Sequence, residues 1–371
     1  MEKRIVIPRI VVRPILPPPL EVGARIRPQW LHWQVGRYRE KLSFGPGGEG
    51  KAKIWVPEME GEQHNMILNQ FYDSLIPQYG FIGPSLYAAV GTGSTAPDPT
   101  QTQLANEIGT SSSPRRTQSP PSGQDHQVEA LATPGEYNVL RVREFSETWV
   151  GGLNLTEWGF SPLSSRNGAL MTRELFRDSN GNPIVLTLAT DQRLRLIYRY
   201  KVTVSPTSPQ AVSVNIGGDG PGIRTAKFML TGVVSNDPYA GCRLPSPQRG
   251  GDLVVASVLA RGGRVNGVGT VAFSNQAAPL TYILSGSSFP VTLSGKLLSY
   301  NAPVGRSRDA SVLLQASENA TTIKSVILNG NLYSTGTVLP TGNLVFDDGQ
   351  EFTKDELHRL FVGYWQVTWG P

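Results

Sequence analysis

The sequence predicts a mainly β protein: two antiparallel β-sandwich-like domains in tandem, one short helix near residues 65–76, and an extended, proline-rich N-terminal arm. Three observations carry that reading. Only 17% of the 371 residues are charged, while 40 glycines and 29 prolines make up about a fifth of the chain, a balance that suits short strands joined by turns. Short apolar runs recur between glycine turns through the second half. The one cysteine, Cys242, has no partner for an internal disulfide, so packing has to hold the fold.

Residues 1–50 are predicted as arm and linker. Pro8, Pro14, Pro17, Pro18, Pro19 and Pro28 oppose a helix or a central strand over residues 1–29 and leave extended or polyproline backbone. The aliphatic side chains between them, among them Ile5, Ile7, Ile10, Val12, Ile15 and Leu16, are costly to leave wet at about 25 cal/mol per Å². A neighbouring subunit or the chain's own body is therefore expected to cover them; a disordered tail is the competing reading. Residues 1–40 carry eight basic side chains against three acids, a surplus equal to the whole chain's net charge of +5. No groove-reading motif or aromatic stacking platform accompanies that charge, so nucleic acid is not expected as its partner.

A β domain is predicted over 51–205. Alternation in Lys51–Val56 reads as a strand after the loop GPGGEG. HNMILNQFYDSLI places Met66, Ile67, Phe71 and Leu75 on roughly one helical face, with Asn65 as cap and Pro77 as the stop. SLYAAVG then reads as a buried strand of the kind a central sheet position needs, and Asn154–Phe160 as a strand whose Thr156, Trp158 and Phe160 face covers a core. DSNGNP at 178–183 is a hairpin loop, its Asn-Gly able to take positive φ. In Leu194–Val202 the charges fall on one parity, which is a half-exposed antiparallel strand. Residues 110–136, polar, proline-rich and without period, form a long surface insertion, read as an inter-subunit strap carrying Arg115 and Arg116 or as a flexible loop.

The ordered set N-x-I-L-N-x-x-Y-D-x-L at 65–75, V-G-T-G-S-T-A-P within 89–97, T-x-T-x-L-A-N-E-I at 100–108 and REFSETWVGGLNLTEWGFSP at 143–162 resembles a module of tailed-bacteriophage tail and tail-fibre proteins. The likeness continues in 168–187 and 191–204 and covers about 140 residues. It implies a virion structural protein assembled in the host bacterial cytoplasm, with partners among copies of itself and other tail, neck or fibre proteins.

Residues 206–371 are predicted as a second β-sandwich-like domain, with strands in AVSVNI, TAKFMLTGVV, DLVVASVLA, GTVAFS, LTYILSG, PVTLSGKLLSY, DASVLLQA and TIKSVILNGNLYST. GGDGPG and GGRVNGVG lack the G-K-[ST] ending and read as turns rather than phosphate loops. FTKDELHRLF suggests one helical turn capped by Thr353. Sliding the chain by 165 positions aligns Asn154-Leu155-Thr156 with Asn319-Ala320-Thr321, as a tandem duplication would, though paired amphipathic strands explain it equally. Tyr364, Trp365 and Trp369 near the end are expected to be covered by the sheet or by a neighbour, and Trp365 and Trp369 count among the interface residues.

Chemistry-bearing patterns are sparse. The four histidines, His32, His64, His126 and His358, form no metal-ligand pair, one cysteine excludes a thiolate zinc site, and the acids at 347–356 lack EF-hand spacing. No serine occupies a G-x-S-x-G elbow. The expectation is a non-enzyme with no catalytic, cofactor-binding or metal residues and no cofactor. No apolar run of about 18 residues occurs, so no membrane span is expected. The alternative reading is a tail adhesin that binds a host receptor or glycan; a tail-borne hydrolase ranks third.

Overall fold

The computed structural model describes residues 20–45, 48–121, 127–166, 168–218, 220–232, 251–262, 270–282, 288–318, 320–334 and 337–371. The fold is mainly β. Its longest strand, β1 (Leu20–Gly45), begins inside what the sequence suggested was arm and linker. LEVGARIR alternates strictly: Leu20, Val22, Ala24 and Ile26 are buried, while Glu21, Arg25 and Arg27 are exposed. Pro28 is accommodated by an irregularity: it pairs with Tyr200, the next pair is Trp30 with Arg199, and the ladder resumes one residue later.

β1 is followed by β2 (Gly48–Gln63), its hairpin partner. The short helix comes next, as five residues of π-helix (Phe71–Leu75) running into α1 (Ile76–Tyr79). Asn65 does not cap it, and Pro77 sits in its first turn rather than ending it; Gly80, at φ 72°, ends it. Continuing the π pattern would need a Pro77 N–H for the Tyr72 carbonyl. Proline has none, and the Trp369 indole donates to that carbonyl instead at 2.6 Å.

A small three-stranded sheet, with Tyr87–Gly91 (β3) beside Glu157–Ser161 and that segment beside Thr172–Leu175, packs next to the main one. Between its strands in the chain lie β4 (Gln127–Ala130), β5 (Glu136–Phe145), a turn of helix α2 (Glu147–Val150) and β6 (Asn154–Leu155), before β7 (Glu157–Ser161) and β8 (Thr172–Leu175). β3 is buried but lies at the edge of its sheet, where loop residues 107 and 117 bridge to it. Both faces of β7 are buried, not one. β9 (Leu186–Thr187) pairs β6, and β10 (Arg193–Ser205) shows the expected parity, with Leu194, Leu196, Tyr198, Tyr200, Val202 and Val204 inside.

Past residue 206, β11 (Gln210–Gly218) and β12 (Gly222–Leu230) form a hairpin whose turn includes Gly222 at φ 84°. The run DLVVASVLA, expected as a strand, is instead the middle of helix α3 (Gly251–Arg261), with every residue from Gly251 to Ala260 buried. An unbroken apolar run has no period to separate a buried strand from a buried helix, and this one is apolar all round because it lies in the interior. It packs against β1, β10 and α1 and against four later strands.

Those strands belong to β13 (Thr270–Ser274), β14 (Phe289–Pro290), β15 (Leu293–Leu297), β16 (Ser299–Tyr300), β17 (Ser307–Leu314), β18 (Ala320–Ile323), β19 (Ser325–Ser334), β20 (Thr337–Phe346), β21 (Phe352–Lys354) and β22 (Leu360–Gly370). Residues 280–282 of LTYILSG form no strand, and FTKDELHRLF holds β21 and the start of β22 rather than a helical turn. Asp355 explains that difference: its carboxylate accepts the Leu357 and His358 N–H groups and makes a turn between the two strands.

One hydrogen-bonded sheet crosses residue 206, in the order β15-β13-β19-β20-β12-β11-β22-β1-β10-β5-β4. Its seam is a parallel pairing of the two chain ends, Leu20 with Trp365 through Arg25 with Gly370. One contiguous core holds residues of both halves, from Leu20 to Trp369.

Candidate assembly surfaces

The glycines of V-G-T-G and the charges of the later motif pieces meet at one point. The Glu157 carboxylate of β7 accepts the N–H groups of Gly93 (3.1 Å), Ala105 (3.0 Å) and Asn106 (2.7 Å), and binds Arg173 of β8 through Nε (2.9 Å) and Nη2 (2.8 Å). Both side chains are fully buried. Arg173 also donates to the carbonyls of Thr95 and Ala96. A Cβ at Gly91 or Gly93 would come within 2.5 Å of Glu157 Oε1, so glycine is required for the strap to reach the carboxylate. The segment 92–106 is thus clamped onto its own chain by a buried ion pair.

The next segment is held the same way. Arg116 makes a two-pronged bond to Glu107, 2.8 Å on each arm, and donates to Ser161 Oγ at 2.9 Å. Arg115 donates to the Trp149 carbonyl at 2.7 Å, Thr117 exchanges backbone bonds with Ala88, and Glu144 N–H donates to the Ser119 carbonyl. The described parts of 110–136 therefore lie on the chain's own body, with 127–130 added to the main sheet as β4. Arg116, Trp365 and Trp369 are buried within the chain, at 4%, 1% and 4% exposure. Ile5, Ile7, Ile10, Val12, Ile15 and Leu16 lie outside the described residues.

The open surface is elsewhere. β1 pairs with β10 only as far as Gly36, yet continues to Gly45 against β2, so among the described residues the segments 37–45 and 48–56 pair only with each other. At roughly 3.3 Å per residue this ribbon is about 30 Å long. Its base is built: a Cβ at Gly36 would run into the Val56 carbonyl, and the register slips there because Glu58 is an extra residue in β2. The Glu58 carboxylate accepts from Gln192, Arg37 and Arg39, contacts that hold it at about 2, well below the usual glutamate value. Arg195 lies 4.0 Å above the Trp55 ring and donates to Tyr38 Oη. Beyond Tyr38 and Trp55 the described side chains are exposed, including Leu42 at 59% and Ile54 at 40%, amid Arg39, Lys41, Lys51 and Lys53.

A groove of about 870 Å³ opens where the other end of the β1–β2 pair meets the 65–72 turn and the 174–181 loop. Pro28 and Trp30 form one wall, with Arg199 stacked 4.8 Å from the Trp30 ring. Glu62, Glu174 and Asp178 face it, with Arg177 bound to Glu174 at 3.0 Å. Asp178 accepts the Asn180 and Asn182 N–H groups in the 178–183 turn, where Gly181 takes φ 82° as the hairpin reading expected; those backbone bonds lower the Asp178 pKa.

Among the described residues no group of three His, Cys, Asp or Glu side chains is placed to hold a metal ion, and no helix is long and apolar enough to cross a membrane. His32 pairs with Glu60 and His358 with Asp355, His64 contacts the Gln29 carbonyl, and His126 lies outside the described residues. Sequence reasoning missed Glu157 and Arg173; the available signal was a charge in the middle of each of two strongly apolar strand segments. No family model, no curated protein and no solved structure matches this chain.

Proposed function

We propose that this chain is a structural component of a tailed-phage virion, a tail, collar or fibre-attachment protein that acts by oligomeric assembly and not by catalysis. The phage context rests on the motif resemblance. The assembly role rests on one observation: a two-stranded ribbon, anchored by a glycine bulge and a charge cluster, runs about 30 Å past its last pairing with β10, with its outer strand edges unpaired among the described residues and Leu42 and Ile54 exposed along it. Unprotected edges of this kind are templates for pairing with another chain, and isolated proteins usually blunt them. Symmetric copies multiply such a modest contact by avidity.

The test is electron microscopy of purified virions labelled for this chain, together with light scattering of the isolated protein. Label at the tail, collar or fibre attachment and an oligomer in solution are expected. Particles without the chain, or a purified monomer that turns over a substrate, would refute the reading.

A further inference from the structure

The groove beside Trp30 has the chemistry of a polyproline site, and the chain carries a matching ligand. Polyproline segments dock on aromatic-lined grooves because their backbone is already ordered before binding, and an arginine that meets a carboxylate adds a charge-assisted contact. Arg13-Pro14-Ile15-Leu16-Pro17-Pro18-Pro19 has a P-x-x-P core led by arginine, and residues 1–19 carry four basic side chains against one acid, Glu2. The groove offers Pro28 and Trp30 as its apolar wall; its two arginines are engaged, Arg177 by Glu174 at 3.0 Å and Arg306 by Asp73 at 2.8 Å, which leaves Glu62 as the carboxylate to meet an incoming arginine.

We propose that residues 13–19 of one copy bind the Trp30 groove of a neighbouring copy; this rests on the assembly reading above. Reach decides that the groove belongs to a neighbour. β1 runs from Leu20 towards Trp30, and at roughly 3.3 Å per residue the two are about 30 Å apart. Folded back completely, Arg13 to Leu20 spans about 22 Å at the polyproline rise. The segment also ends in three prolines, whose fixed φ opposes a reversal at Leu20. A chain therefore cannot lay this core along its own Trp30, but a neighbour's arm can enter from outside. The contact is directional, head to tail, so repetition closes a ring or builds a stack.

The experiment uses the full chain in sedimentation equilibrium. Arg13→Glu and Glu62→Arg should each weaken self-association about tenfold, and the double variant should recover most of the loss. A synthetic peptide of residues 1–19 should dissociate the wild-type oligomer, and a scrambled peptide should not. Glu62 is exposed, so the circular dichroism of Glu62→Arg should be unchanged; Trp30→Ala is the stronger but less conservative change. An oligomer indifferent to the peptide and to both charge changes would overturn the groove assignment and leave the assembly reading standing. A full chain that stays monomeric would overturn both.

Discussion

Two segments leave the β framework and fare oppositely. The 92–121 strap is irregular and polar, yet buried ion pairs at Glu157–Arg173 and Glu107–Arg116 fasten it to its own chain. The β1–β2 ribbon is regular and its two strands pair with each other, yet the described side chains beyond Tyr38 and Trp55 are exposed. Irregular backbone is thus no sign that a segment is left free of its own chain. What counts is whether polar groups and strand edges are already satisfied, and in the strap they are.

The contrast makes graded predictions. Glu157→Ala should have the largest effect, because it leaves Arg173 buried without its carboxylate and orphans three backbone N–H groups; a loss of about 3–5 kcal/mol in urea unfolding is expected. A loss below about 1 kcal/mol would mean that the strap is held by something else. The paired change Leu42→Lys and Ile54→Lys on the ribbon should move stability by no more than about 0.5 kcal/mol, since both side chains are exposed. The same variant should fail to assemble, as read by light scattering; normal assembly with both changes would remove the ribbon from the contact.

The smallest effect is titrational. The folded pKa of Glu58 lies below its ordinary value of 4.5, at about 2. The stability it contributes is therefore present above pH 4.5 and is lost as pH falls through about 2. The difference in melting temperature between wild type and Glu58→Gln should shrink over that window and vanish at its acid end. A difference that stays constant with pH would show that the Glu58 contacts do not depend on its charge.

Much of the first half was legible. The parity of β10 and the Asn-Gly turn at 178–183 follow from local chemistry, because a two-residue period and a positive-φ turn are properties of the neighbouring residues alone. LEVGARIR carries the same period, but Pro28 masked it; the irregularity that admits the proline depends on the partner strand β10. The motif glycines announced a tight approach without saying to what, since Glu157 lies more than sixty residues away.

Composition and periodicity settled that this is a β-rich chain and where most of its strands run, because alternation is written into each short segment. Four things needed contacts distant in sequence. The interior turned DLVVASVLA into a helix, the Trp369 indole served the Tyr72 carbonyl that Pro77 leaves open, and the two chain ends paired side by side. β10 starts only at Arg193, which leaves the ribbon beyond Gly36 without it as a neighbour. Each depends on which groups are left to satisfy one another once the sheet has closed, and no local window holds that information.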